Sequence, residues 1–84
     1  MGKSDRLLDK ILCGTSDATI DFDEMCRLLL QLGFTQRIRG SHHLLTKPGI
    51  VEKINLQRDD GKAKPYQVRQ VRNVIIQYQL GELL

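Results

Sequence analysis

Tryptophan is absent from this 84-residue chain, and two phenylalanines and two tyrosines are its only aromatic residues. A surface built on a row of stacked aromatic rings is therefore excluded. Cysteine is also scarce. Cys13 and Cys26 alone do not make the disulfide framework on which small secreted domains depend. No apolar run approaches the ~18 residues of a membrane span, and the N-terminus has none of the character of a signal peptide. The chain reads as cytoplasmic, with reduced thiols and no membrane partner. Its length rules out a two-domain enzyme with a deep cleft between the domains. Internal repeats and low-complexity segments are absent as well.

Acidic residues are few in one half only. Residues 1–33 hold four basic and six acidic groups, whereas residues 34–84 hold nine basic and four acidic ones. The net charge of +3 thus hides an acidic first half and a basic second half. A basic half on a small domain points to a polyanion, nucleic acid first, against the plainer reading of a solvated surface with scattered lysines.

The punctuation of the chain predicts short elements. Leu7, Leu8, Ile11 and Leu12 have helical spacing over residues 4–13, ahead of Gly14. Residues 14–20 read as a linker. Asp21 is a predicted N-cap, with Glu24 at the capping-box position and Ile20 and Met25 as a hydrophobic staple. Phe22, Met25, Cys26, Leu29 and Leu32 then make one apolar stripe up to Gly33. On that stripe Cys26 reads as core, not as a nucleophile.

Three strands are expected next. Phe34, Gln36 and Ile38 alternate with Thr35, Arg37 and Arg39. A Gly40-Ser41 break leads to a strand at residues 42–47, and Lys47-Pro48-Gly49-Ile50 fits a type II turn. Val51 to Gln57 forms the third strand, and residues 58–62 a polar loop. The last helix starts near Pro65, buries Val68, Val71, Val74, Ile75 and Tyr78, and closes at Gly81. The pattern is an α+β domain: helix, helix, three antiparallel strands, helix. Both long helices should cover one sheet face and leave the other open.

Two constellations could carry chemistry. In Gly40-Ser41-His42-His43, a histidine beside a tight turn suits proton transfer at a phosphate, because the free imidazole titrates near ~6.5. Neighbours in a strand face opposite ways, so His42 and His43 should not act on one atom. In Gly61-Lys62-Ala63-Lys64-Pro65-Tyr66-Gln67, lysines crowd a helix start, where the dipole disfavours cations but favours an anionic ligand. The glycine spacing of a P-loop is missing. Cys13, Cys26, His42 and His43 lack the paired spacing of a zinc site, and Asp59 and Asp60 read as a solvated turn, so no metal or other cofactor is expected.

Taken together, Gly33-Phe34, then Arg39-Gly40-Ser41-His42-His43 ahead of Lys47-Pro48-Gly49, then Gly61-Lys62-Ala63-Lys64-Pro65-Tyr66-Gln67-Val68, resemble the HicA toxin family over roughly residues 21–80. The resemblance implies a double-stranded-RNA-binding-domain-like α-β-β-β-α fold with a three-stranded antiparallel sheet. Residues 21–84 would form the ribonuclease domain, with residues 1–20 as an extra N-terminal helix and linker. It further implies metal-independent mRNA cleavage by a single catalytic histidine, His42. A HicB-type antitoxin protein would neutralise the toxin and would supply any link to DNA. Lys47, Lys62, Lys64, Arg69, Arg39 and Ser41 are the candidate RNA-binding residues. Where the family commonly has an aromatic residue, three positions after the catalytic histidine, this chain has Leu45. A non-catalytic double-stranded-RNA-binding module is the alternative.

Overall fold

The computed structural model describes residues 3–83. Helix α1 spans Lys3–Cys13, a single 3₁₀ turn follows at Asp17–Thr19, and α2 runs Phe22–Gln31. Strands β1 (Thr35–Arg39), β2 (His42–Thr46), β3 (Ile54–Asp59) and β4 (Lys62–Ala63) come next. The chain ends with α3 (Pro65–Gln77) and a 3₁₀ segment at Leu80–Leu83. The sheet is an antiparallel meander in the order β1-β2-β3-β4.

Local chemistry explains most element boundaries. The Asp21 carboxylate accepts a hydrogen bond from the Glu24 N–H at 3.0 Å and so starts α2. Gly40, at φ +57°, takes the first place of a two-residue loop joining Arg39 to its partner His42. The Lys47–Ile50 turn closes through a 3.1 Å bond from the Ile50 N–H to the Lys47 carbonyl, with Gly49 at φ +87° as a type II turn requires.

Three sequence expectations need correction. The sheet has four strands, not three. Arg58 and Asp59 continue β3, and the Asp60-Gly61 pair, both at positive φ, turns the chain into β4. That is the geometry of the tight hairpin loop for which Asp-Gly is suited. β4 is only two residues long, yet its outer side is not bare. The segment leading into α2 pairs with it through the Ala63 N–H to the Ile20 carbonyl (2.9 Å) and the Phe22 N–H to the Gly61 carbonyl (3.1 Å). Secondly, β3 begins at Ile54 and not at Val51, which is 87% exposed. The stretch ahead of β3 is held by α3 instead of β2: Glu52 accepts from the Tyr78 hydroxyl at 2.6 Å, and the Lys53 carbonyl from the Gln70 amide at 3.5 Å. At the C-terminus α3 stops at Gln77, with Gln79 in the left-handed region (φ +54°). Gly81 lies beyond it, where a Cβ would come within 3.4 Å of the Leu8 side chain.

One core joins all the elements. Leu45, Ile54, Leu56 and Ala63 on the inner sheet face cluster with Phe22, Met25 and Leu29 of α2 and with Val68, Val71, Val74 and Ile75 of α3. Leu7, Leu8 and Ile11 belong to the same cluster, so α1 packs into the domain. Its presence explains why α2 is buried on a wider arc than its stripe predicts, Leu28 included. The radius of gyration, 11.6 Å, matches the ~12 Å of a single compact unit of this length. Arg72 ties these parts together. Its guanidinium donates to the Ile11 carbonyl (3.2 Å) and pairs with the half-buried Asp17 (2.9 Å).

Among the described residues, Gln67 is the one buried polar residue of the core, 1% exposed. With its amide oriented to satisfy both atoms, the nitrogen donates to the Gln57 carbonyl (3.3 Å) and the oxygen accepts from the Gln57 N–H (3.0 Å). The side chain thereby does what a third residue of β4 would have done for the edge of β3. Gln67→Leu keeps the volume but leaves both backbone groups unpaired. It should lower unfolding stability by about 1–3 kcal/mol in urea titrations monitored by circular dichroism.

Candidate active site

Strand alternation sorts the basic half onto two faces. Register pairs Arg39 with His42 and His42 with Gln57, and it pairs Arg37 with Leu44 and Leu44 with Asn55. Cross-strand partners share a face. Arg37, Arg39, His42, Leu44, Asn55 and Gln57 therefore lie together on the face that the helices leave open. His43, Leu45, Ile54 and Leu56 face the helices.

The two histidines diverge accordingly. His43 is half-buried: its ring meets Phe22 edge-on at 4.9 Å between centroids, and Nδ1 lies 3.1 Å from the Gln36 Oε1. The Arg58 guanidinium lies over the same Phe22 ring, 5.0 Å from its centroid, and pairs with Asp23. His43 is thus a packing residue. His42 is exposed, with Nδ1 3.3 Å from the Asn55 Oδ1. It forms part of the wall of two shallow hollows on the open face, and Asn55 lines both. One, about 270 Å³, is otherwise lined by Arg37, Arg39 and Leu44. The other, about 260 Å³, adds Lys53, Gln57, Tyr66, Gln67 and Gln70. None of these residues is a carboxylate or a thiol.

A short polar chain runs beside His42. The Gln57 amide nitrogen donates to the Ser41 Oγ at 3.3 Å, and its oxygen accepts from the Lys64 Nζ at 3.4 Å. Ser41, Lys64 and Arg39 are accordingly brought to the His42 neighbourhood. Lys62 is exposed on β4, paired in register with Asp59 and bridged to Asp21. Arg69 is exposed on α3 but lines neither hollow. Lys47 lies elsewhere. Five residues along an extended strand put it roughly 17 Å from His42. Its amine instead covers Gly33 at the end of α2, where a Cβ would come within 2.3 Å of Nζ. A cation at that position complements the helix C-terminus.

Asn55, Gln57 and Tyr66 are among the site residues that sequence reasoning passed over, as are Arg37 and Lys53. The signal for the first two was alternation: with Ile54 and Leu56 inward, Asn55 and Gln57 must face the side of His42. Among the described residues, Tyr66, 56% exposed, is the only phenylalanine, tyrosine or tryptophan lining the hollows.

Among the described residues, no three of His, Cys, Asp and Glu form a metal-holding group, and no helix is long and apolar enough to cross a membrane. Cys26 lies in the core. Burial, reinforced by Asp23 and partly opposed by Arg58, pushes its thiol up to about 11. The chain matches no protein-family model, no curated protein and no solved structure in the three comparisons made.

The cysteines should separate chemically. At pH 8 a thiol titrating at about 11 is ionised to roughly one part in a thousand. A thiol-reactive chromogenic disulfide should therefore label exposed Cys13 quickly and Cys26 only after unfolding: one thiol per native chain, two in denaturant. Because the folded value lies above the ordinary one, Cys26's contribution to stability is full below about pH 9 and fades as pH rises toward 11.

Proposed function

We propose that this chain is a HicA-type toxin: a metal-independent endoribonuclease that cleaves mRNA with His42 as its single catalytic histidine. The observation that carries the reading is the position of His42, exposed between two hollows with Arg39 opposite it on β1. The order α2, sheet, α3 with one open face supports a double-stranded-RNA-binding-domain-like architecture in which residues 21–84 form the ribonuclease unit. The family resemblance through Gly40-Ser41-His42 and Gly61 to Val68 points the same way, and a cytoplasmic site of action goes with it.

In the proposed reaction the ribose 2′-oxygen attacks the adjacent phosphorus. A 2′-O–P bond forms while the P–O5′ bond breaks. The 2′-hydroxyl proton leaves to a base and the 5′-oxygen gains a proton, giving a 2′,3′-cyclic phosphate and a free 5′-hydroxyl. His42 serves as base or acid. Arg39 and Lys64, with Lys62 further out, supply positive charge for the phosphates and for the crowded anionic transition state. The donor set suits chemistry without a metal, since neither hollow has a carboxylate or thiol in its lining. A HicB-type antitoxin covering this open face would block RNA and provide whatever contact with DNA the pair makes.

Purified wild type should cleave single-stranded RNA equally well with and without EDTA. His42→Ala should lose at least about 10²-fold in rate while keeping its circular dichroism spectrum. Lys64→Ala should weaken RNA binding and flatten its salt dependence by about one unit of log–log slope. Lys47→Ala should leave both cleavage and binding unchanged. Salt-dependent binding with no cleavage products, insensitive to His42→Ala, would replace the enzyme with a double-stranded-RNA-binding module.

A further inference from the structure

We infer that Asn55 is a positioning residue that holds the His42 ring in its Nδ1–H form, so that Nε2 faces substrate as a bare lone pair and His42 acts as the general base. The inference rests on the ribonuclease reading for its catalytic meaning and on geometry alone for the state of the ring. Asn55 and His42 are diagonal neighbours on the open face, because His42 pairs with Gln57 and Leu44 with Asn55. The 3.3 Å contact joins Nδ1 to an amide oxygen, which can only accept. The ring nitrogen must therefore carry the proton.

Asn55 is the acceptor that the structure places at Nδ1. Gln57, directly opposite His42, has both amide atoms engaged, one by Ser41 and the other by Lys64. The charged side chains around the two hollows are Arg37 and Arg39 from β1 and Lys53 ahead of β3, and Lys64 reaches in through Gln57. All four are donors. None can accept from Nδ1–H, and none can draw a proton from Nε2. Among the described residues, Nε2 has no hydrogen-bond partner. An unconstrained neutral imidazole side chain favours the opposite form, with the proton on Nε2, which would present an acid to the 2′-hydroxyl. An acceptor at Nδ1 reverses that preference and sets the direction of the first proton transfer, from the 2′-hydroxyl to Nε2.

The test reads the ring directly. In ¹⁵N-labelled full-length protein, at a pH where His42 is neutral, long-range ¹H–¹⁵N correlation should give Nδ1 a pyrrole-like and Nε2 a pyridine-like shift. In Asn55→Ala the assignment should reverse, with the backbone amide spectrum otherwise preserved. Asn55→Asp, which keeps an acceptor, should retain the Nδ1–H form. Steady-state cleavage of a short RNA by Asn55→Ala should show kcat lowered about 10-fold with KM little changed. A wild-type ring protonated on Nε2, or a ring unaffected by Asn55→Ala, overturns the inference even if His42-dependent cleavage is found. An Asn55-dependent Nδ1–H ring in a protein that does not cleave RNA upholds the positioning and overturns the ribonuclease reading instead.

Discussion

The register between β2 and β3 is the constraint on which the rest of this structure depends. Leu45 opposite Ile54, with His43 opposite Leu56, points three apolar side chains at α2 and α3. Period-two geometry then leaves His42, Leu44, Asn55 and Gln57 no choice but the other face. A slip of one residue would turn one strand over, sending either Leu45 of β2 or Ile54 and Leu56 of β3 toward water. Each of those core side chains contributes roughly 1.5–3 kcal/mol by its burial, so the slipped arrangement is not competitive. The core selects the site, and Gln67 belongs to both.

The two hairpin loops reinforce the same register from its ends. Gly40-Ser41 joins β1 to β2 so that Arg39 faces His42, and Asp60-Gly61 joins β3 to β4 so that Arg58 faces Ala63. Beyond Ala63 the sheet would offer an open edge beside Gln57. Gln67 closes it from the first turn of α3, and this also brings the helix start, with Lys64 and Tyr66, up to the His42 hollow. The basic loop and the histidine turn are far apart in the chain. They become one surface because a buried amide needs two backbone partners.

What the sequence made legible, and what it did not, follows from where the physical signals are strong. The N-cap at Asp21, the type II turn at Pro48-Gly49 and the alternation that separates His42 from His43 were all readable, since each is decided within four residues. The fourth strand escaped because Arg58 and Asp59 are charged, and hydropathy does not distinguish a polar edge strand from a loop. The better signal was Asp60-Gly61, a pair suited to tight hairpins. Lys47 stands apart from His42 for a related reason: an extended strand carries its ends apart faster than any other element.

The reach of the site was the least legible part, because it is a property of pairing between strands. That His42 would have an amide beside it depends on whether residue 55 or a neighbour sits diagonally across, and the sequence alone permits several registers. Once the register is set, His42 is surrounded by amides, cations, Leu44 and the Tyr66 ring, with no carboxylate among the described residues lining either hollow. A carboxylate partner would hold the ring through charge and draw it toward the imidazolium. An amide orients the ring without that charge. The surrounding cations, all donors, cannot hold Nδ1–H. The small domain thus divides its labour without spare parts: the core sets the register, the register selects an amide for the ring, and the basic side chains are left at the rim.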